Sequence, residues 1–293
     1  MSNETLKSYA KRIPFLRTAY RTMVGKRSVQ TAAPVDLRAT GPLGLRSYYE
    51  SSGEPAIVTV PLSKCRWFGP TGFSYGEGSS HPYIMSLEQY KKDGPLRPQE
   101  TFLYQYYENF RPNNLAEFLR LSDTACNEAL IKLPPLKTVL PWLNLDIQTV
   151  INKHAGHVAG SESLTRRCGP HSIDYVERRL ETLVFLFDKI SHEGFWEALP
   201  TGNSYSDSFR VGVVLVRDGK SVVMLADGNH RASVLSVLGY ESMSILVGYQ
   251  AGGPAIVRYE DAALWPLVRM GLFSEAQATA VFDMIFEGKT PAY

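Results

Sequence analysis

Cysteine is scarce in this chain of 293 residues, and its three copies, Cys65, Cys126 and Cys168, lie far apart with no C-x-x-C pair. An odd, dispersed set excludes a disulfide framework and fits reduced thiols in a cytoplasm. Long apolar runs are missing as well: stretches such as Leu183–Phe187 are far too short to cross a bilayer. The N-terminus lacks the apolar core of a secretory signal. Net charge is only +2, too little by itself to mark a nucleic-acid-binding protein. Internal repeats and low-complexity tracts are absent. With 44% apolar and 20% charged residues, the composition is that of an ordinary folded protein, long enough for one large domain or two modest ones.

The charge that is present is unevenly placed. Residues 1–27 carry Lys7, Lys11, Arg12, Arg17, Arg21, Lys26 and Arg27 against Glu4 alone, a net +6, which leaves −4 for the rest. Leu6, Tyr9, Ile13, Leu16, Tyr20 and Met23 recur every three or four positions, so the segment reads as a basic amphipathic helix interrupted near Pro14. Such a helix suits an anionic membrane surface, which would make the protein cytoplasmic and peripheral at the inner membrane. A surface helix docked on its own domain, a frayed terminus and a mitochondrial transit peptide are the other readings.

Residues 28–159 form an N-terminal region with no evident role, opening on a Gly-, Pro-, Ser- and Thr-rich linker over 28–55. Ala56–Pro61 is a short strand, and Trp67–Gly78 an aromatic, glycine-rich loop read mainly as surface packing. Ser86–Tyr90 and Glu100–Phe110 are helical, the second with a core-type stripe of Leu103, Tyr106, Tyr107 and Phe110. Asn114 caps a helix over Leu115–Leu121. Three prolines make Lys132–Trp142 an extended connector, which puts a domain boundary somewhere between 132 and 160. His154, His157, Cys168 and His171 have the look of a zinc set, but zinc modules usually offer more thiolates, so no metal site is assigned.

Residues 160–250 are read as a domain. Ser172 caps a strong helix with Ile173, Val176, Leu180, Leu183, Val184 and Phe187 on one face and Glu177 and Glu181 beside it. A strand over Ser208–Val216 turns at Arg217-Asp218-Gly219-Lys220 into a second, Val222–Ala226. That strand ends on Asp227-Gly228-Asn229-His230-Arg231, after which Ala232, Leu235 and Leu238 or Gly239 mark a helix and Met243–Val247 a further strand. Residues 251–293 are a helical tail, with Ser274 capping a helix to Phe286 and Trp265, Val281, Phe282, Ile285 and Phe286 docking on the core.

Chemistry belongs at the Asp227–Arg231 turn. Gly228 lets the backbone approach a ligand closely, and the first N–H groups of the following helix form an anion site. His230 and Arg231 add donors, and an arginine grips two phosphate oxygens at once. Asp227 is either the helix cap or a carboxylate aimed at a metal or hydroxyl; an Asp-capped helix with an exposed His-Arg pair is the plain alternative.

Asp227-Gly228-Asn229-His230-Arg231 followed by Leu238-Gly239-Tyr240 resembles the DG-x-HR…LG signature of the ParB/sulfiredoxin-like superfamily, over roughly residues 160–250. The resemblance implies an α+β fold, a small mixed sheet with helices, and a nucleotide whose phosphates lie on Gly228, Asn229, His230 and Arg231. His171 and Ser172, from the G-P-H-S start of the long helix, would join them. Asn229 stands where sulfiredoxin keeps its reactive cysteine, so sulfinic acid repair is not expected. The acidic turn is closer to the ADP-dependent serine kinase branch, whose catalytic base corresponds to Glu177, with Asp227 and His230 the other catalytic candidates. The implied cofactors are ATP or ADP, with CTP an option, and Mg²⁺. The implied activity is phosphoryl transfer to a hydroxyl of a small molecule or glycan. The G-P-H-S helix start and the DG-x-HR turn together also resemble uncharacterised ParB-like proteins associated with bacterial surface-polysaccharide synthesis, which points to a glycan acceptor. The alternative is a non-catalytic nucleotide- or nucleic-acid-binding regulator, which the charge beyond residue 27 disfavours. Nuclease activity lacks a paired acidic motif for two metals.

Overall fold

A computed structural model describes residues 34–40, 54–67, 72–121, 128–135, 139–147, 167–195, 210–248 and 254–288. All of them belong to one compact unit, Pro34–Tyr293. The basic segment 1–27, and His154 and His157 of the zinc comparison, lie outside the described residues.

The fold is mixed α+β around a central sheet. The strands are β1 (Val35–Asp36), β2 (Ala56–Pro61), β3 (Cys65–Trp67), β4 (Arg210–Arg217), β5 (Lys220–Leu225), β6 (Ser242–Val247) and β7 (Ile256–Arg258). They run β1-β2-β6-β4-β5-β3 across the sheet, and β7 also pairs with β4. β2 pairs antiparallel with β6 and β4 with β5, whereas β4 pairs parallel with β6 and β7, and β3 parallel with β5. The β4–β5 hairpin turns at Asp218 (φ 49°) and Gly219 (φ 70°). Two successive positive φ angles are what a two-residue turn with Asp-Gly supplies, and they match the strand twist.

Strands β2, β5 and β6 are buried almost end to end, because both faces of the sheet are covered. Val58, Val60, Val223 and Ile245 belong to the main core. Ile57, Leu246 and Val211 form a smaller cluster, a row across β2, β6 and β4. Side chains alternate faces along a strand, so Ile57 and Val58 point to opposite sides of the sheet.

The helices are α1 (Pro82–Asp93), α2 (Phe102–Asn109), α3 (Leu115–Phe118), α4 (Glu128–Lys132), α5 (Ile173–Glu193), α6 (Asn229–Val237), α7 (Pro266–Arg269) and α8 (Glu275–Glu287). Ser274 and Gln277 close a reciprocal capping box on α8. Trp265 stacks on Phe282, and Arg217 pairs with Asp283, so α8 docks on the unit as its apolar residues required. Among the described residues, no helix is long and apolar enough to cross a membrane.

Residues 160–250 share their sheet with the N-terminal region, which supplies β2 and β3, and both belong to the unit Pro34–Tyr293. Two expectations about single elements change. The region after 250 is not purely helical, since β7 adds parallel to β4. Helix α1 starts at Pro82 rather than Ser86, because the His81 side chain caps it and proline is pre-organised for the first helical position.

Gly212 on β4 shows how tightly this sheet is filled. A β-carbon there would run into Val223 Cγ1 and lie 2.9 Å from Ile245 Cγ2. Gly212→Val is expected to destabilise the unit by about 2–3 kcal/mol through overpacking, read as a lower urea midpoint at unchanged m-value.

Candidate functional site

The turn after β5 is set by its hydrogen bonds. Ala226 and Asp227 both donate their N–H to the Val211 carbonyl, at 2.8 and 3.4 Å. Gly228 then adopts the left-handed conformation (φ 88°, ψ 12°) and stands at the capping position of α6. A side chain is strained at such a φ, which explains glycine here. Asp227 is exposed and accepts the Gly228 N–H at 2.7 Å. The capping position of α6 itself, Gly228, offers no side-chain cap. His81, Thr101, Asn114, Ser172 and Ser274 by contrast each cap their own helix through a side chain.

Asn229, His230 and Arg231 are not a loop before the helix but its first turn. Asn229 Oδ1 accepts a 2.6 Å hydrogen bond from the hydroxyl of Tyr75, a fully buried residue of the aromatic loop. That loop is thus part of the site's foundation. The His230 ring stacks on Tyr83 of α1, with centroids 4.9 Å apart and planes within 7°. Nη1 of Arg179, on α5, lies 3.5 Å from His230 Nε2. Arg231 reaches toward Phe195 at the far end of α5, its guanidinium 5.9 Å from the ring centre.

The start of α5 joins the same assembly. Ser172 Oγ accepts the Tyr175 N–H at 3.3 Å, as a cap should. His171 stacks on Tyr175 at 4.0 Å and meets Tyr107 edge-on at 4.5 Å. Arg179 lies over the other end of the run, its guanidinium 5.0 Å from the Tyr175 ring centre. His171, Tyr175, Arg179, His230 and Tyr83 therefore form one continuous run of contacts. Glu177 is not in it. It is exposed, and at ~100° per residue it sits about 200° around α5 from Tyr175 and from Arg179.

Behind this run lies a buried layer of aromatic and basic groups. The Arg167 guanidinium sits 4.6 Å from the Trp67 ring centre, and the Arg167 carbonyl accepts the Tyr106 hydroxyl. His81 is fully buried, and its Nδ1 accepts the Tyr83 N–H at 3.1 Å. Burial, helped by the nearby Arg167 and His230, holds the His81 pKa well below the ordinary imidazole value. Burial likewise pushes the Tyr75 and Tyr107 hydroxyls well above theirs, so both stay neutral donors. Among the described residues, no group of three or more His, Cys, Asp or Glu could hold a metal ion. Burial pushes the Cys168 thiol up to about 12, which leaves it protonated and inert at neutral pH.

No family model, curated protein or solved structure matches the chain.

The site is therefore judged on its geometry. Two cavities, of about 1180 and 620 Å³, open elsewhere, and neither is lined by residues 227–231. The larger one lies at the C-terminal end of α6, against Ser236, Gly239 and Tyr240, and shares Tyr75 as a wall. The first turn of α6 presents instead a glycine cap, three half-buried polar side chains and a basic flank. Arg179, Tyr75, Tyr83 and His81 were not among the sequence candidates. The His81-Pro82 helix start was the one local signal that pointed to any of them.

Because the folded-state pKa of His81 lies below the ordinary 6.5, the unfolded chain takes up its proton first as pH falls. The stabilisation from keeping this ring neutral is complete above about pH 6.5. Below that it is lost at about 1.4 kcal/mol per pH unit, until the folded-state pKa is reached. Urea unfolding at pH 7, 6 and 5 should show that slope in the wild type and a slope smaller by about one proton in His81→Gln.

Proposed function

We propose that this chain is a nucleotide-dependent phosphotransferase whose nucleotide phosphates lie on the first turn of α6. The observation that carries the reading is the start of that helix. A left-handed glycine occupies the capping position without a side-chain cap, and His230, Arg231 and Arg179 surround it. Helix N-termini favour anions through their outward N–H groups and dipole. The resemblance of Asp227–Arg231 to the DG-x-HR turn of the ParB/sulfiredoxin-like superfamily supports the same reading, and with it a fold of that type.

In this scheme Gly228, Asn229 and the side chains of His230 and Arg231 cradle the phosphates of ATP or ADP, or of CTP. His171 and Ser172 stand at the neighbouring helix start. Asp227 accepts the Gly228 N–H and stands at the phosphate turn as the carboxylate beside a metal-bound phosphate or an acceptor hydroxyl. That suits Mg²⁺, which usually arrives on the nucleotide and needs few protein ligands; when bound, it supplies charge neutralisation for the transferring group. Glu177 faces away from Arg179's side of α5, so the proton of the acceptor falls to Asp227. The acceptor is a hydroxyl of a small molecule or glycan. A lipid-linked glycan of surface-polysaccharide synthesis fits the basic segment 1–27, which would hold a cytoplasmic protein at the membrane.

Calorimetric titration of the protein with ATP, ADP and CTP in Mg²⁺ tests the binding half. His230→Ala and Arg231→Ala should each weaken nucleotide binding about tenfold or more, the worth of a charge-assisted hydrogen bond. Asp227→Asn should leave binding within a few fold while slowing hydrolysis or transfer about a hundredfold. Nucleotide binding with no turnover in any variant would favour the regulator, and no binding at all would end both readings.

A further inference from the structure

The contact between Arg179 and His230 fixes more than position. A guanidinium carries five donors, has no acceptor and does not lose its proton in proteins. Its Nη1 lies 3.5 Å from His230 Nε2, at the long end of hydrogen bonding. Two donors would repel there, so the contact is favourable only when Nε2 carries the lone pair. Neutral imidazole then has its proton on Nδ1. The ring is also held against tumbling, since Tyr83 stacks flat on it from α1, within 7° of parallel. Arg179 in turn is steadied over Tyr175, one turn earlier on α5.

We propose that Arg179 is a positioning residue that locks His230 as the neutral Nδ1–H tautomer. The ring then serves the site as a hydrogen-bond donor, and its Nε2 lone pair is closed to proton transfer. His230 is thereby removed from the candidates for general base and kept as a ligand-binding group. Arg179 places a fixed cation 3.5 Å from Nε2, and a like charge at that distance disfavours a proton there. The oligophosphate role of the ring rests on the function proposed above, whereas the tautomer does not.

The test is imidazole ¹⁵N NMR of histidine-labelled, ligand-free protein, with the His230 signals assigned by their loss in His230→Gln. The expected wild-type signature is a pyridine-type Nε2 and a protonated Nδ1. Arg179→Met should move His230 to the Nε2–H form, and Arg179→Lys, which still offers a donor, should restore the wild-type signature. Affinity for tripolyphosphate should fall about tenfold in Arg179→Met and recover in part in Arg179→Lys. A protonated Nε2 in the wild type, or a wild-type signature in Arg179→Met, overturns the proposal. Failure of the wild type to bind tripolyphosphate overturns the oligophosphate reading instead and leaves the tautomer to be decided by the spectra.

Discussion

A helix of nine residues has almost no stability of its own in water, because nucleation costs more than so few hydrogen bonds return. Helix α6 therefore exists where it does only through what surrounds it. Ala232, Val234, Leu235 and Val237 are buried in the main core, which holds its body. Its first turn is polar and must be held by other means: the Tyr75 hydroxyl on Asn229, the Tyr83 ring on His230, and the Arg179 guanidinium beside it. Three separate parts of the chain meet on one helical turn, and the candidate site is the place where they meet.

The chemistry of those supports follows from burial. Tyrosine brings a large apolar ring and a hydroxyl that needs a partner, so a buried tyrosine orders whatever it touches. Arginine tolerates burial against aromatic faces better than lysine does, since its guanidinium is planar and weakly hydrated. The layer under α6 uses both, with Arg167 over Trp67 and Arg179 over Tyr175. The result is a firm, basic base beneath the turn, suited to an anion above it.

Much of this was readable from local sequence. The Asp218-Gly219 hairpin, the caps at Asn114, Ser172 and Ser274, and the apolar face of α5 are short-range features, and each has a short-range cause. Gly228 was legible as a special backbone position for the same reason. The start of α6 was not: Asn229, His230 and Arg231 face the site rather than the core, so they break the apolar pattern that announces a helix. Strands β3 and β7 hold three residues each, too few for alternation to show. Tyr75 meets Asn229 across 154 positions of chain, and no periodicity reports a contact at that distance. Glu177 matches a pattern of spacing along the chain, but the turn of α5 leaves it exposed and brings Arg179 against His230 instead.

The order of strands has a consequence for how the chain comes into being. β2 lies beside β6, so Pro61 must wait for Ser242 before its edge is covered. At a ribosomal pace of about 5–20 residues per second, that is roughly ten to forty seconds with an apolar strand unmatched. Early β2, with Ile57, Val58 and Val60 on its two sides, is thus a segment exposed to mispairing, and open to a nascent-chain chaperone, before β6 arrives.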